Sequence, residues 1–179
     1  MPIISRIQSY TTAFNNVRLQ SAIGLMAFLF SVQLSAQSDI DIMLKEYNNR
    51  TVPYISVQAL KEDTSKYLLL DTRKKEEYLV SHLPNAVWAG EEVNAAFTKA
   101  YPNKSQPIVV YCSVGVRSED FGESLKALGY TDVKNLYGSI FIWKDKGNLV
   151  YNRDEKVTDS IHVFSEQWGK YLNTGIKVH

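Results

Sequence analysis

Only one cysteine occurs in the chain, within Tyr111-Cys112-Ser113-Val114-Gly115-Val116-Arg117-Ser118 and directly after the apolar run Pro107-Ile108-Val109-Val110. The pattern predicts a buried strand, a tight loop that Gly115 allows to turn, and a helix opening at Ser118. A thiol at a helix N-terminus feels the positive end of the helix dipole, which favours the nucleophilic thiolate. Loop amides between Ser113 and Ser118 can converge into an anion-binding nest, and Arg117 adds a permanent positive charge beside it. A lone cysteine after a core strand is ordinarily a small buried hydrophobe. Gly115 and Arg117 turn that reading towards a nucleophile whose charge the loop stabilises.

The elements needed to position this loop alternate along the chain. Pro53 to Ser56 reads as a short strand, and Val57 to Glu62 as a helical turn capped by Ser56. Tyr67-Leu68-Leu69-Leu70-Asp71 is a continuous apolar run of the kind that forms a strand buried on both faces. Lys75–Val80 reads as a helix, Ala86-Val87-Trp88 as a strand, and Glu92–Tyr101 as a helix closed by Pro102. After the strand Ile108–Tyr111, Phe121, Leu125 and Leu128 recur at helical spacing up to Gly129. Asp132–Tyr137 is a last strand, and Gly138–Lys146 a turn into a helix. Such alternation predicts an α/β fold: a central parallel sheet of about five strands with helices on both faces. Ligands in such folds bind at the carboxyl ends of strands, where Cys112 falls.

At 179 residues, 45% hydrophobic and 22% charged, the chain suits one α/β domain with a substantial core. Arg6 and Arg18 precede the apolar stretch Ala22–Val32, no acid occurs before Asp39, and small residues appear in Leu34-Ser35-Ala36-Gln37. This predicts a cleavable signal peptide over residues 1–37 and an exported, periplasmic or secreted protein; the competing reading is an N-terminal membrane anchor. The mature chain would be near neutral, which favours neither nucleic acid nor an anionic membrane as partner. One cysteine cannot form an internal disulfide, so an oxidising compartment would leave Cys112 a free, reactive thiol. His162 and His179 lack ligand-spaced neighbours, so no metal site and no cofactor are expected. Residues 38–52 read as a helix or linker. In 151–179, Ile161, Phe164, Trp168 and Tyr171 suggest a C-terminal helix that packs on the domain or lines the mouth of the site.

Taken in order, several segments resemble the rhodanese-like family of sulfurtransferases. Leu70-Asp71-Thr72-Arg73 with Glu77-Tyr78 is similar to its acidic-Arg segment, and Ser81-His82-Leu83-Pro84-Asn85-Ala86 to its Gly-His-Ile-Pro-Gly-Ala stretch. Cys112 to Ser118 resembles the active-site loop. Leu128-Gly129-Tyr130, Val133, Leu136-Tyr137-Gly138-Ser139 and Trp143 resemble the family's segment after that loop. The resemblance implies one module over about residues 53–150.

It also implies a chemistry. Cys112 would attack the outer sulfur of a small anionic donor such as thiosulfate, carry it as a persulfide, and pass it to a thiol or cyanide. Amides of Ser113, Val114, Gly115, Val116 and Ser118 would hold the anionic persulfide, with Arg117 orienting the donor and helping to hold the loop. Asp71 and Arg73 would support the loop, as an ion pair or a capping set. His82 would be a turn residue bonded to backbone rather than a general base. Arg117 is the fifth residue after Cys112, whereas the related phosphatases and arsenate reductases use Cys-x5-Arg, one residue longer; the shorter loop favours sulfur over phosphorus. Ser113 stands where thiosulfate-using members often carry arginine, and one fewer cation implies weaker thiosulfate binding or a different donor. Ser81 and Asn85 replace glycines, of which asparagine tolerates left-handed backbone better. Three classes of function stay open: a sulfurtransferase, a sulfur-carrier or redox-sensing module, and a catalytically idle interaction domain.

Overall fold

The structure, a computed structural model, describes residues 39–179. The signal-peptide expectation for residues 1–37 lies outside them. Helix α1 (residues 39–47) leads into strand β1 (Tyr54–Ile55) and helix α2 (Val57–Glu62). Then come β2 (Leu68–Asp71), α3 (Lys75–Val80), β3 (Val87–Trp88), α4 (Ala95–Ala100), β4 (Ile108–Tyr111), α5 (Arg117–Ala127), β5 (Val133–Leu136) and α6 (Ser139–Asp145). Five strands form one parallel sheet in the order β1-β5-β4-β2-β3, so β4 is central. Every residue of β4 is buried, as a strand covered on both faces requires.

Alternation along β4 divides the core. Val109 and Tyr111 pack with Ile40, Met43 and Leu44 of α1 and Ile140 and Phe141 of α6. Ile108 and Val110 pack with Phe97 of α4 and Phe121 and Leu125 of α5. Period-two side-chain direction thus sends neighbouring residues into helical layers on opposite faces. The sheet expected from the sequence is present with its helices on both sides.

Helix starts track their caps. Ser56 Oγ accepts the Ala59 amide at 3.1 Å, starting α2 at Val57 as the sequence indicates. The helix expected from Glu92 begins only at Ala95, because Asn94 Oδ1 accepts the Phe97 amide at 2.9 Å and acts as the cap. Helix α5 opens at Arg117, one residue before Ser118.

The largest correction concerns the C-terminus. In place of a helix from Asp159 to Tyr171, the chain forms β6 (Val150–Tyr151), β7 (Val157–Thr158), β8 (Ser160–His162), the short α7 (Glu166–Gly169) and β9 (Ile176–Val178). β6 and β7 pair antiparallel, and β8 and β9 parallel. Val157, Thr158, Ile161 and Val163 are β-branched, and buried Ile161 and Val163 flank half-buried His162, which is strand periodicity rather than helical. The extension does pack on the domain, burying Ile161, Val163 and Leu172 in the α1/α6 side of the core.

Gly138 begins α6 with φ +64°, and a Cβ there would lie 2.1 Å from Ile142 Cγ1. Gly129 has φ +91° but open space around it. Gly138→Ala should therefore destabilise the fold by more than about 2 kcal/mol, from backbone strain plus clash. Gly129→Ala should cost only the backbone part, about 1 kcal/mol. Urea unfolding of both variants checks this; equal losses would show that the Ile142 contact relaxes freely.

Candidate active site

Cys112 leaves the carboxyl end of β4, buried to 1% exposure. Its Sγ accepts the Gly115 amide at 3.1 Å, and the amide and hydroxyl of Ser118 also bond to it. The Ser118 hydroxyl donates to Asn135 Oδ1 at 2.8 Å as well. Gly115 adopts φ +111°, a conformation closed to other residues without strain. Two side-chain amides, Asn48 Nδ2 at 2.8 Å and Asn135 Nδ2 at 2.9 Å, hold its carbonyl in place.

Helix α6 fixes the start of the loop. Ile140 N–H donates to the Cys112 carbonyl at 3.3 Å and Phe141 N–H to the Ser113 carbonyl at 3.2 Å. The Cys112 amide donates to Ser139 Oγ at 3.0 Å. The first amides of α6, which no intrahelical carbonyl can satisfy, thus serve as loop anchors.

Burial pushes the Cys112 thiol up, but the Arg117 charge opposes it, together with the Ser118 amide and hydroxyl and the Gly115 amide. The net result is a pKa below that of an ordinary thiol. Arg117 is itself held: Nη1 and Nη2 donate to the Glu77 carboxylate at 2.7 and 2.8 Å, and Nη2 reaches Ser113 Oγ at 3.1 Å. Glu77 is fully buried on α3 and also accepts the Lys74 amide at 3.0 Å. Burial works against its charge, yet the Arg117 hydrogen bonds and charge keep it ionised below the usual carboxylate range.

Asp71 and Arg73 form the expected ion pair. Arg73 Nε and Nη2 donate to the Asp71 carboxylate at 2.9 and 2.6 Å, with both residues fully buried. Arg73 Nη2 also donates to the Ser81 carbonyl at 2.6 Å, tying the end of β2 to the turn after α3. Ser81 has extended backbone, φ −167°, which serine adopts freely, while Asn85 takes the left-handed φ of +59°. His82 Nδ1 lies 3.2 Å from the Tyr78 carbonyl, and its backbone bridges Tyr151.

A cavity of about 220 Å³ opens over the sulfur, lined by Cys112, Ser113 and Arg117 and by the apolar Val114, Val116, Phe164 and Trp168. Neither the Asp71–Arg73 pair nor His82 lines it. Glu77 lies in a segment similar to the family's, but nothing in its spacing ties it to Arg117, and Asn48, Asn135, Ser139, Phe164 and Trp168 carry no signal tied to the cysteine in sequence. Local spacing cannot show that side chains 23 to 64 positions away converge on one loop.

Residues 56–146 match the family described as the rhodanese-like domain, just over half of the chain. The chain belongs to the rhodanese-like domain family. Over 118 residues it is 36% identical to the tRNA uridine(34) hydroxylase of Onion yellows phytoplasma, covering 61% of this chain but only 36%, about a third, of that protein. Thiosulfate sulfurtransferase PspE of Escherichia coli is 34% identical over 70 residues, 38% of this chain and 67% of that one. Among solved structures, the BH2092 protein of Bacillus halodurans superposes with a TM-score of 0.52 at 22% identity, over 63% of this chain and 86% of that one. The rhodanese-like domain of Anabaena Alr3790 gives 0.53 at 21% identity, over 58% and 83%. These two likenesses concern the fold alone.

In this rhodanese-like domain a buried thiol sits among donors that lower its pKa. Alkylation of Cys112 by iodoacetamide should titrate below the ordinary thiol value of about 8.5. Arg117→Ala should move that midpoint up, and Arg117→Lys, which keeps the charge but loses the fork, should fall between. An unchanged midpoint in Arg117→Ala would assign the shift to the amides alone.

The Glu77–Arg117 pair makes a second expectation. A carboxylate whose pKa is depressed on folding adds stability that is full above its unfolded value, about 4.3, and is lost as pH falls through the folded one. Glu77→Gln should therefore cost roughly 2–4 kcal/mol at neutral pH, the scale for breaking a buried pair whose other partner reaches water. The difference from wild type should shrink towards zero in acid, as denaturation at pH 7 and below the carboxylate range would reveal.

Proposed function

We propose that this chain is a sulfurtransferase that moves a sulfane sulfur from thiosulfate or a similar donor to a nucleophilic acceptor through a Cys112 persulfide. The observation that carries this reading is the Cys112 Sγ itself, bonded at 3.1 Å to the Gly115 amide in a six-residue loop closed by Arg117. The thiolate attacks the outer sulfur of the donor. A new S–S bond forms, the S–S bond of the donor breaks, and its electron pair leaves on the departing group, sulfite in the case of thiosulfate. The persulfide is again an anion, and the Gly115 and Ser118 amides suit it as they suit the thiolate. A thiol or cyanide then takes the outer sulfur and returns Cys112 to its starting state. Arg117 acts in this scheme through its charge on the sulfur and by closing the loop on Glu77.

A sulfur-carrier or redox-sensing role is the second reading. It is favoured by the engagement of Arg117 with Glu77, which leaves the cation less available for a dianionic donor. Export, read from residues 1–37 in the sequence, is part of the proposal and would place this thiol in an oxidising compartment.

Thiocyanate formation from thiosulfate and cyanide by the full chain, measured beside Cys112→Ser, tests the reading. Turnover that falls to the uncatalysed background in the variant is the expected result. A wild-type protein that gains one sulfur on Cys112 by mass spectrometry yet does not turn over would favour the carrier. Neither turnover nor an added sulfur with thiosulfate or polysulfide sinks both.

A further inference from the structure

The mouth of the cavity is built from parts of unlike origin. Val114 and Val116 belong to the cysteine loop, whereas Phe164 and Trp168 come from the C-terminal segment after β8. Phe164 is held there in an unusual way. Its φ is +64°, a left-handed conformation that is an outlier for a bulky side chain. Such strain persists where the surroundings over-determine it, and it concentrates at functional sites. Here the Phe164 amide donates to His162 Nδ1 at 3.1 Å, and the Ser165 amide donates to the Val163 carbonyl at 2.7 Å. The resulting tight turn presents the phenyl ring over the site, 5.0 Å from the Arg117 guanidinium carbon, while the ring stays 45% exposed. Its position is not the outcome of burying it in the core.

The electrostatics of the mouth point the same way. Among the described residues lining the cavity, Arg117 is the one cation, and both its terminal nitrogens are on Glu77. A second carboxylate, Glu91, lies 3.9 Å from Arg117 Nη1. Ser113 brings a hydroxyl and no charge. The Arg117 charge is thus shared between Glu77 behind it and Glu91 beside it, and the aromatic face of Phe164 lies over that arginine. The other cation at the mouth, Lys74, has its Nζ 5.6 Å from the same Phe164 ring. An uncharged apolar group meets two valines, a phenylalanine and a tryptophan. A cavity of about 150 Å³ lined by apolar residues holds benzene, so about 220 Å³ has room for a ring or a short branched chain.

Resting on the sulfur-transfer reading, we propose that Phe164 and Trp168 make this site select a sulfur donor whose leaving group carries an apolar substituent, in preference to thiosulfate. Such donors have the form R–SO2–S⁻ or R–S–S⁻ with R a hydrocarbon group. The Cys112 thiolate attacks the terminal sulfur, one S–S bond forms as another breaks, and the electron pair leaves on a sulfinate or a thiolate. Charge and electrons balance without an oxidant or reductant. R lies against Phe164 and Trp168 while the terminal sulfur reaches Cys112.

The test uses the full chain with three donors of graded character: thiosulfate, methanethiosulfonate and benzenethiosulfonate. Rates of sulfur addition to Cys112 are each divided by the rate of the same donor with free cysteine thiolate, which removes intrinsic reactivity. The benzene compound should then exceed the methane compound and thiosulfate by about 10–100-fold in normalised kcat/KM, the scale for burying a phenyl-sized surface. Phe164→Ala should bring the benzene-to-methane ratio down towards one, with Trp168→Ala acting in the same direction, and Phe164→Leu should recover most of it. Because Phe164 is half exposed, its truncation leaves the core intact, which circular dichroism verifies. Equal normalised rates for all three donors, or ratios unmoved by Phe164→Ala and Trp168→Ala, overturn the selectivity while sulfur transfer stands. No added sulfur from any donor overturns the transfer reading itself, and the selectivity with it.

Discussion

Favouring the charged form of a buried thiol is the constraint around which this molecule is arranged. At 1% exposure, Cys112 receives almost no help from water, so the protein must supply the stabilisation that solvent would. It does so with a full charge on Arg117 and with oriented amides at Gly115 and Ser118. Each of these needs its own support. Arg117 could drift on a flexible stem, but the fully buried Glu77 holds its planar fork through two short hydrogen bonds. Glu77 in turn tolerates burial because Arg117 and the Lys74 amide satisfy its oxygens. The pair therefore fixes the far end of the loop, and neither partner could be removed without leaving the other uncompensated.

The near end depends on the sheet. β4 is central and wholly buried, so the residue after it has little freedom. Helix α6 enters from β5, the neighbour of β4, and its unsatisfied N-terminal amides fall on the carbonyls of Cys112 and Ser113. Asn135, the buried third residue of β5, donates to Gly115 and accepts from Ser118, touching the loop on both sides of Arg117. Parallel pairing of β4 and β5 is thus a condition of the site and not only of the fold: it delivers Asn135 and the start of α6 to the same place.

This division explains what could be read from the chain without coordinates. Cysteine, glycine and arginine lie within six residues, so local geometry was enough to mark the loop, and continuous apolar runs were enough to mark β2 and β4. Glu77 lies 40 positions before Arg117, and its meeting with the loop is a consequence of topology. Asn48 and Asn135 look like ordinary polar residues until a shared acceptor, the Gly115 carbonyl, brings them together. The strands at the C-terminus were hidden for a different reason. Ile161, Phe164, Trp168 and Tyr171 satisfy a helical spacing, but Ile161 and Val163 satisfy a strand spacing equally well, and β9, the partner that decides between them, lies beyond that stretch of sequence.

On the proposed reading, chemistry and selectivity come from separate stretches of chain. Arg117, Gly115 and Ser118, which lower the Cys112 pKa, lie inside residues 56–146, the portion that matches the family, whereas Phe164 and Trp168 lie outside it. The sulfur-binding loop is constrained by its amides, by Gly115 and by a buried ion pair, and a change in any of these disturbs the charge on Cys112. The C-terminal segment is anchored by Ile161, Val163 and Leu172 in the core, with Trp168 packed against it, whereas Phe164, 45% exposed, can change over the mouth at less cost to the fold. A fold of this kind can keep one reaction and alter its partner by exchanging a few residues in an appended turn. The strained Phe164, ordered by His162 and stacked on Arg117, occupies the position from which such an exchange would act.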